Sequence, residues 1–187
     1  MRHELFLNIE PDMADIKSQF RKSYKSLISA GMQLWEVGVL DRGHDDTWDE
    51  FRRLHRSVAG RVTRSADTWS LQHTAIKEGG NFLVYLRDKK KRMIGGGLFS
   101  ISKDECLYGV GVYDRSLFKN PLGHVVQYRA IEEMKKRGLR WYKIGLRSFA
   151  AETPAPTQKE INISEFKQGF ASHIFPKYIL KHPVDLL

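Results

Sequence analysis

Two arginines and a histidine in the first part of the chain have the types and spacing of an anion site. Arg61 and Arg64 lie three residues apart, so they share a face if the helix predicted before them continues. Their guanidinium groups present forked N–H donors that suit phosphate or carboxylate. His55 precedes them on the apolar side of the same predicted helix. The set indicates a site for an anionic substrate, and a solvated helix end would explain the arginines equally well.

A short glycine-containing segment is the candidate for contact with a second ligand. It comprises Tyr108, Gly109, Val110, Gly111 and Val112. Its two glycines would let a ligand lie close against the backbone of a strand. Such a surface, with a polarised carbonyl on the ligand and a nearby group that accepts a proton, could serve a reaction at that carbonyl. The alternative is that the glycines accommodate a β-bulge or a neighbouring aromatic ring.

Two residues near this segment are candidates to receive the proton. His124 falls in the first turn of the most strongly predicted helix, and its imidazole could accept a proton near neutral pH. Asp114 directly follows the glycine-containing segment and is a second candidate base. A capping or surface histidine and a turn-forming aspartate are the alternatives. Lys167, next to Phe166, could neutralise a phosphate, although a surface lysine is the simpler interpretation.

The sequence predicts no metal site and no cysteine nucleophile. The histidines at positions 3, 44, 55, 73, 124, 173 and 182 contain no i, i+4 pair, and they have no cysteine partner. Cys106 is the only cysteine, and its neighbours in a predicted strand indicate a thiol of no special reactivity. Neither a nucleophile elbow nor a nucleotide-binding P-loop is present.

Composition indicates a soluble domain with anionic partners. The 187 residues carry a formal net charge of +9, which favours the phosphates of a coenzyme or nucleotide sugar, RNA, or an acidic membrane face. No window of eighteen apolar residues predicts a membrane span, and the N-terminus has no signal-peptide pattern. With one cysteine, a reducing cytosol is the simplest location, so we expect a cytoplasmic protein.

The order of predicted elements gives the fold class. Helix is predicted from Pro11 to Gly31, strand over 33–41, and helices from Thr47 and over 68–77. Three antiparallel strands, a helix opening at Pro121, a strand over 139–146, a helix near 164–169 and a strand over 173–180 follow. This order predicts an α/β (α+β) fold, with a mixed, mostly antiparallel sheet flanked by helices. Residues 1–32 are predicted as an N-terminal helical extension and 33–187 as the main domain.

The element order and several local strings resemble the Fem-like branch of the GNAT acyltransferase superfamily. The matching strings are residues 20–28, 54–55, 59–64, 68–69, 108–111, 121–124 and 163–170. The resemblance implies an N-acyltransferase that moves an acyl or aminoacyl group to an amine on an anionic cell-envelope precursor. Such a precursor is a nucleotide-linked amino sugar or a peptidoglycan or polysaccharide intermediate. The implied donor is acetyl-CoA or aminoacyl-tRNA, without a metal.

The resemblance also implies roles for the candidate residues. Residues 108–112 would hold the donor, and His124 or Asp114 would receive the proton. The acceptor-binding set would be His55, Arg61, Arg64 and Lys167.

The sequence departs from the Fem-like pattern in two ways. Fem-like proteins usually have two GNAT-type halves, whereas this chain resembles the second half and the helix before it. We therefore expect a fragment, a minimal version, a homodimer, or association with a missing first half. Arg115, Lys119 and Gly123 are present but lack the spacing of a coenzyme A pyrophosphate loop. Acetyl-CoA thus lacks its own signature, and tRNA remains open as the carrier of the donor.

A different class of function is a non-catalytic module with the same fold. Such a module would use its basic face to bind RNA or an acidic partner. The chain lacks the basic–aromatic interleaving that is typical of base-stacking surfaces. Steep salt dependence and the lack of a donor pocket would distinguish it from an enzyme.

Overall fold

The computed structural model describes residues 2–43 and 45–178, which form seven strands and six α-helices. In chain order these are β1 (Arg2–Asn8), α1 (Met13–Gln19), α2 (Lys22–Leu34), β2 (Glu36–Leu40), α3 (Asp45–Ala59), α4 (Ala66–Lys77), β3 (Asn81–Arg87), β4 (Met93–Ser102), β5 (Glu105–Tyr113), α5 (Leu122–Lys136), β6 (Trp141–Arg147), α6 (Gln158–Gln168) and β7 (His173–Lys177). A short 3-10 turn, Arg115–Leu117, connects β5 to α5.

All seven strands of the described residues belong to one sheet. Their order is β2-β3-β4-β5-β6-β1-β7. Every neighbouring pair is antiparallel except β5 and β6, which are parallel and joined by helix α5. This arrangement confirms the predicted mixed, mostly antiparallel sheet flanked by helices.

The sheet separates two hydrophobic clusters. Strand β3 shows the division, because Phe82 and Val84 belong to one cluster while Leu83 belongs to the other. Successive side chains of a strand point to opposite faces, so the two clusters lie on the two faces of the sheet. Buried residues of α1, α2 and α5 belong to the first cluster. Trp48 and Trp69 of α3 and α4 belong to the second.

The N-terminal segment contains a strand that the sequence analysis missed. Strand β1 lies inside the sheet, between β6 and β7, with Leu5 and Leu7 fully buried. The segment 1–32, predicted as a helical extension, therefore contains a strand as well as helices. The signal was present, because Leu5, Leu7 and Ile9 alternate with residues that do not enter the core. A domain boundary after residue 32 stays a prediction, although side chains from both segments share one core cluster.

The predicted first helix is two helices in the structure. The chain breaks at Phe20 and Arg21, where the Arg21 amide donates to the carbonyl of Gly169 at 2.8 Å. Helix α2 then runs past Gly31, which is buried in the helix rather than ending it. Tertiary contacts override the local stop signal, since a Cβ on Gly31 would lie 2.3 Å from Val125 of α5.

The remaining predicted elements are found with shifted ends. Helix α3 begins before Thr47, and α6 is longer than the predicted 164–169. The three central strands and the strand–loop–helix crossing into α5 are where the sequence placed them. The last strand ends at Lys177, and positions 179 and 180 of its predicted range lie outside the described residues.

Candidate functional site

The parallel strands β5 and β6 separate after a short stretch of pairing. Only three pairs join them, and the last is Leu107 with Lys143. On its other side, β5 remains paired with β4 up to Tyr113. Strand β6 is likewise paired with β1 up to Arg147. Residues 108–113 and 144–147 therefore line a cleft within the sheet, which we call the splay.

The two glycines of β5 serve different structural purposes. Leu98 of β4 opposes Val110 while Phe99 opposes Tyr108, so Gly109 is the extra residue of a β-bulge. Gly111 makes room for an aromatic ring, because a Cβ there would lie 1.8 Å from the hydroxyl oxygen of Tyr108. Both alternatives raised by the sequence are thus present. Both glycines are also exposed, which leaves this part of the backbone accessible.

Lys167 of α6 reaches the wall of the splay. Its Nζ lies 5.5 Å from the centre of the Tyr108 ring. On the β6 side, a Cβ on Gly145 would come within 2.6 Å of the same Nζ. Gly145 also has a φ of +133°, a conformation that favours glycine. The absence of a side chain at position 145 therefore creates the space that the ammonium group occupies.

The ammonium group of Lys167 is partly desolvated. Burial lowers the pKa of Lys167. Among the described residues, it makes no salt bridge within 4 Å, unlike Lys143 and Lys177, which both pair with Glu4. A cation in this state interacts strongly with a negative charge that forms beside it.

Three tyrosines lie beneath the splay on the α5 face, of which Tyr142 is fully buried and Tyr108 and Tyr113 are half-buried. The hydroxyl groups of Tyr108 and Tyr113 are 3.1 Å apart. The Tyr142 hydroxyl donates to Oε1 of Gln127, which is completely buried on α5. Burial raises the pKa of Tyr108 and raises those of Tyr113 and Tyr142 further, so all three are neutral hydrogen-bonding groups at pH 7.

His124 lies in an aromatic environment on the α5 face. Its ring makes edge contacts with Tyr24 and Phe166, with ring centres 4.5 Å and 5.0 Å apart. Burial, and then the charge of Arg21, lower the pKa of His124 to about 4. The imidazole is therefore neutral at pH 7 and is enclosed by rings of α2 and α6. Its assignment as the proton acceptor stays a prediction.

Asp114 caps the turn that follows β5. Its Oδ1 accepts hydrogen bonds from the amide and the hydroxyl of Ser116, at 3.0 Å and 2.6 Å. Its other oxygen lies 3.9 Å from Arg92. The carboxylate thus has a turn-forming role, and its assignment as a base also stays a prediction.

His55, Arg61 and Arg64 come together in a pocket at the junction of α3 and α4, which we call the arginine pocket. Its volume is about 440 Å³. A hydrogen bond of 3.3 Å joins Arg64 Nη1 to His55 Nε2, and the Arg64 guanidinium lies over the ring of Trp69. Burial, and then the charge of Arg64, lower the pKa of His55.

The arginine pocket is more basic than the sequence analysis predicted. Helix α3 adds Arg52, Arg53 and Arg56 to its lining. The only carboxylate among the lining residues is Asp49, and it pairs with Arg52 at 3.2 Å. The other four arginines make no salt bridge within the described chain. The i, i+3 and i, i+4 spacings of the three added arginines were visible in the sequence.

Lys167 is separate from the arginine pocket. Trp69 of the pocket belongs to the cluster that includes Val110 and Val112, on the face covered by α3 and α4. Lys167 contacts Tyr108, which packs against the other cluster. The predicted acceptor set is therefore divided between the two faces of the sheet, with β5 between them.

A second cavity lies at the end of β6. It has a volume of about 550 Å³ and is formed by the loop between β6 and α6. Its lining includes Arg2, Arg147, Glu152 and Glu160. From the sequence, Arg147 ends a predicted strand before a loop with two prolines that is long enough to be functional, but no specific pattern assigns any of the four residues to a site.

Residues 2–43 and 45–178 can be examined for a metal site, a reactive thiol and a membrane-spanning helix. No cluster of three or more His, Cys, Asp or Glu side chains in this part of the chain could hold a metal ion. Cys106 is fully buried, and burial raises its pKa to about 12, which leaves an unreactive thiol. None of the described helices combines the length and hydropathy needed to cross a bilayer.

The strand order, the α5 crossing and the open pair of parallel strands define a domain of the acyltransferase type. A family model described as an acetyltransferase (GNAT) domain matches residues 15–152. The chain therefore belongs to the GNAT acetyltransferase family, which confirms the resemblance found in its sequence. No curated protein matches the chain by sequence.

Solved structures similar to the chain include two long proteins and one short one. FemX has a TM-score of 0.70 at 10% identity, over 92% of this chain and 59% of FemX. L-PGS from Bacillus licheniformis has a TM-score of 0.63 at 10% identity, over 91% and 57% of the two chains. An aminoglycoside acetyltransferase from an uncultured soil metagenomic sample, in complex with sisomicin, has a TM-score of 0.58 at 9% identity. The alignment covers 80% of this chain and 99% of the acetyltransferase.

These similarities establish the fold. The alignment with FemX confirms that the chain has the fold of a Fem-type protein, and it spans 59% of the length of that structure.

Proposed function

We propose that the chain is an N-acyltransferase that holds its activated acyl donor in the splay. The main support is the divergence of β5 from β6 after Leu107, together with the desolvated ammonium of Lys167 at the opening. The edge of residues 108–113 that faces β6 is not paired with a strand, so its backbone groups are free for a ligand. Membership of the GNAT family supports the same class of reaction.

In this proposal, Lys167 stabilises the negative charge that develops on the donor carbonyl oxygen. The amine of the acceptor attacks the carbonyl carbon, an amide bond forms, and the bond to the leaving oxygen or sulfur breaks. The proton lost by the amine goes to the leaving group. A preorganised cation in a partly desolvated site provides this stabilisation without rearrangement, and such groups are worth about 10²–10³ in rate.

An aminoacyl ester is the donor that the packing of α5 favours. The pyrophosphate of a coenzyme would use the backbone N–H groups in the first turn of a helix. In this chain the first turn of α5 is covered by α6, because a Cβ on Gly123 would lie 3.0 Å from the Phe166 ring. His124 in the same turn is also enclosed by Tyr24 and Phe166. We therefore place aminoacyl-tRNA ahead of acetyl-CoA.

The acceptor in this proposal is an amine on an anionic cell-envelope precursor, held by the arginine pocket. Arg61 and Arg64 would bind its phosphate or carboxylate groups, with Arg53 and Arg56 beside them. The pocket lies on the α3–α4 face, whereas Lys167 lies on the other. An acceptor anchored in the pocket would then meet the donor across β5.

A transfer assay tests the proposal. Purified protein is incubated with a panel of donors, acetyl-CoA and aminoacyl-tRNAs, and a panel of amines that includes nucleotide-linked amino sugars. Mass spectrometry of the products should show the mass of one acyl or aminoacyl group added to an amine. If no combination of donor and amine gives more product than the Lys167→Met control, the proposed acyl transfer is contradicted. RNA binding with steep salt dependence and no transfer would favour the non-catalytic binding module instead.

A further inference from the structure

The cavity at the end of β6, which we call the loop cavity, contains charges of both signs. Two guanidinium groups, of Arg2 and Arg147, and two carboxylates, of Glu152 and Glu160, line it. It therefore differs from the arginine pocket, whose lining has five arginines and one carboxylate. Alanines and prolines of the loop and Leu146 supply apolar surface. A small ligand that carries both charges would be complementary to this lining.

Each carboxylate is held in place by the backbone of the loop. Glu152 Oε1 accepts from the amide of Phe149 at 3.0 Å. Glu160 Oε2 accepts from the amide and the hydroxyl of Thr157, at 2.8 Å and 2.7 Å. Hydrogen bonds from Thr157 lower the pKa of Glu160, which is thus ionised at pH 7. In both residues the second oxygen has no hydrogen bond within the described chain, so it can accept from a ligand.

Arg147 supplies a positive group at the wall of the same cavity. Its Nη1 donates to the carbonyl of Ser148 at 2.6 Å and to Ser164 Oγ at 2.8 Å, which fixes the guanidinium. Its Nε is buried and has no partner in the structure. Its Nη2 also lies 3.5 Å from Oε1 of Glu165, and the guanidinium lies over the ring of Phe149. Arg2 adds an exposed guanidinium, for which the described residues provide no salt bridge.

The loop cavity adjoins the splay. Lys167 contacts Gly145, and Arg147 is two residues further along β6, a distance of about 7 Å in a strand. Glu160 lies seven residues before Lys167 on α6, or roughly 10 Å along the helix. A group bound in the cavity therefore lies within the reach of one small substrate from the splay.

We propose that the loop cavity binds an amino-acid group with a free ammonium and a free carboxylate, carried by the acceptor. The two glutamates would hold the ammonium, and Arg2 and Arg147 would hold the carboxylate. This inference rests on the proposed acyl transfer, because it assigns the bound amino-acid group to the acceptor substrate. The aminoacyl end of a donor is a different ligand, because its carboxyl group is esterified and it has only the ammonium.

Three small probes distinguish these ligands without an activity measurement. L-alanine has both charges, L-alaninamide has only the ammonium, and N-acetyl-L-alanine has only the carboxylate. Each is titrated into ¹⁵N-labelled protein. We expect L-alanine to shift amide signals of residues 146–153 and to bind at least about fivefold more tightly than either analogue. Equal binding of L-alaninamide would assign the cavity to the donor, and equal binding of N-acetyl-L-alanine would make it a simple anion site; either result would overturn the proposal.

A matched pair of variants tests the carboxylates. Glu152→Gln combined with Glu160→Gln removes both charges and retains amide oxygens that can still accept from Phe149 and Thr157. L-alanine affinity should fall at least about fivefold, while inorganic pyrophosphate should bind the arginine pocket as before. Glu78→Gln, a charge removal at the C-cap of α4, should change neither. Unchanged L-alanine binding in the double variant would exclude the site.

The transfer assay and the titrations can fail separately. Transfer without L-alanine binding would retain the proposed function and remove this inference. L-alanine binding at the cavity without transfer would leave an amino-acid site on a protein of another function.

Discussion

At the scale of single residues, Lys167 is the side chain whose environment differs most from that of an ordinary lysine. It is partly desolvated, it contacts Tyr108 across the splay, and it makes no salt bridge in the described part of the chain. A cation kept in this state without a partner weakens folding, because desolvation is not compensated. Such a trade of stability for a charged group at an opening is typical of a functional residue.

Replacing Lys167 therefore has opposite effects on activity and stability. We expect Lys167→Met to lower kcat by about 10²-fold while the melting temperature stays the same or rises. Kinetics on the donor and acceptor pair found by mass spectrometry, with thermal unfolding in parallel, provide both readouts. Lys159→Met on the exposed part of α6 is the control, and it should change neither. A Lys167→Met enzyme with unchanged kcat would remove this residue from the chemistry.

The aromatic environment of His124 should make the stability of the protein depend on pH. The folded state holds the pKa of His124 at about 4, compared with an ordinary value of 6.5. As pH falls below 6.5, the unfolded chain takes up this proton first, so the associated stability is present above 6.5 and is lost towards pH 4. The full loss is roughly 3 kcal/mol, of which about 2 kcal/mol falls between pH 7 and pH 5.

Urea unfolding of wild type and His124→Phe at pH 7 and pH 5 measures this contribution. The variant should retain the ring packing and lose about 2 kcal/mol less than wild type on acidification. Burial also lowers the pKa values of His55 and His73, so some acid sensitivity should remain in both proteins. Identical pH dependence of the two proteins would show that His124 is not desolvated.

If the arginine pocket binds the acceptor, its arginines should determine the KM for that substrate. Arg61→Ala combined with Arg64→Ala should raise the KM for the acceptor about tenfold or more, because charged hydrogen bonds to the substrate are lost. The kcat at saturation should change little, while the free energy of unfolding should fall by about 1–2 kcal/mol, because Arg64→Ala loses its hydrogen bond to His55 and its contact with the Trp69 ring. Arg42→Ala is the matched control outside the pocket. Unchanged acceptor KM in the double variant would exclude these arginines from the site.

At the scale of elements, the contact between α2 and α5 shows how packing overrides local preference. Gly31 lies within α2, three residues before its end, and alanine would ordinarily be favoured at a helical position by about 1 kcal/mol. A Cβ there would lie 2.3 Å from Val125 Cγ2 and 3.0 Å from Pro121 Cγ. The two helices approach closely because position 31 has no side chain.

We therefore expect Gly31→Ala to destabilise the protein by about 1–3 kcal/mol, as overpacking of a core does. Urea denaturation measures the change. Ser29→Ala, an exposed position on the same helix, should be neutral or slightly stabilising. A more stable Gly31→Ala protein would show that the α2–α5 contact is looser than described.

The sequence was sufficient for most elements because their patterns are local. Strands β3 to β5 alternate with period two, and α5 has a proline before it and a glycine after it. The divergence of β5 from β6 could not be predicted, because it depends on pairing between strands that are distant in the chain. The break at Phe20 is similar, since its cause is a hydrogen bond from Arg21 to Gly169.

The part of the candidate site that is local in sequence was predicted, and the part that depends on distant elements was not. His55, Arg61 and Arg64 are near in sequence, and the structure brings them together in one pocket. His124 and Lys167 were chosen by type and position, but their environments depend on α2, β5 and β6. The contact of Lys167 with Gly145 has no local signature, because only the fold brings these two residues together.

At the scale of the whole molecule, part of the excess positive charge behind the net charge of +9 is concentrated in one place. Five arginines line one pocket on the α3–α4 face, whereas the loop cavity is balanced. The chain also spans 59% of the length of FemX. Completion of the acceptor side by another half or a second copy stays a prediction. The proposed donor site, in contrast, is built entirely from β5, β6 and α6.

Hydrogen–deuterium exchange measures directly whether the splay takes the acyl donor. Amides of residues 108–113 that face β6 have no strand partner, so they should exchange faster than those of β3, which is paired on both sides. Addition of aminoacyl-tRNA should slow exchange in residues 108–113 and leave β3 unchanged. Exchange in residues 108–113 that is unaffected by aminoacyl-tRNA and by acetyl-CoA would exclude the splay as the donor site.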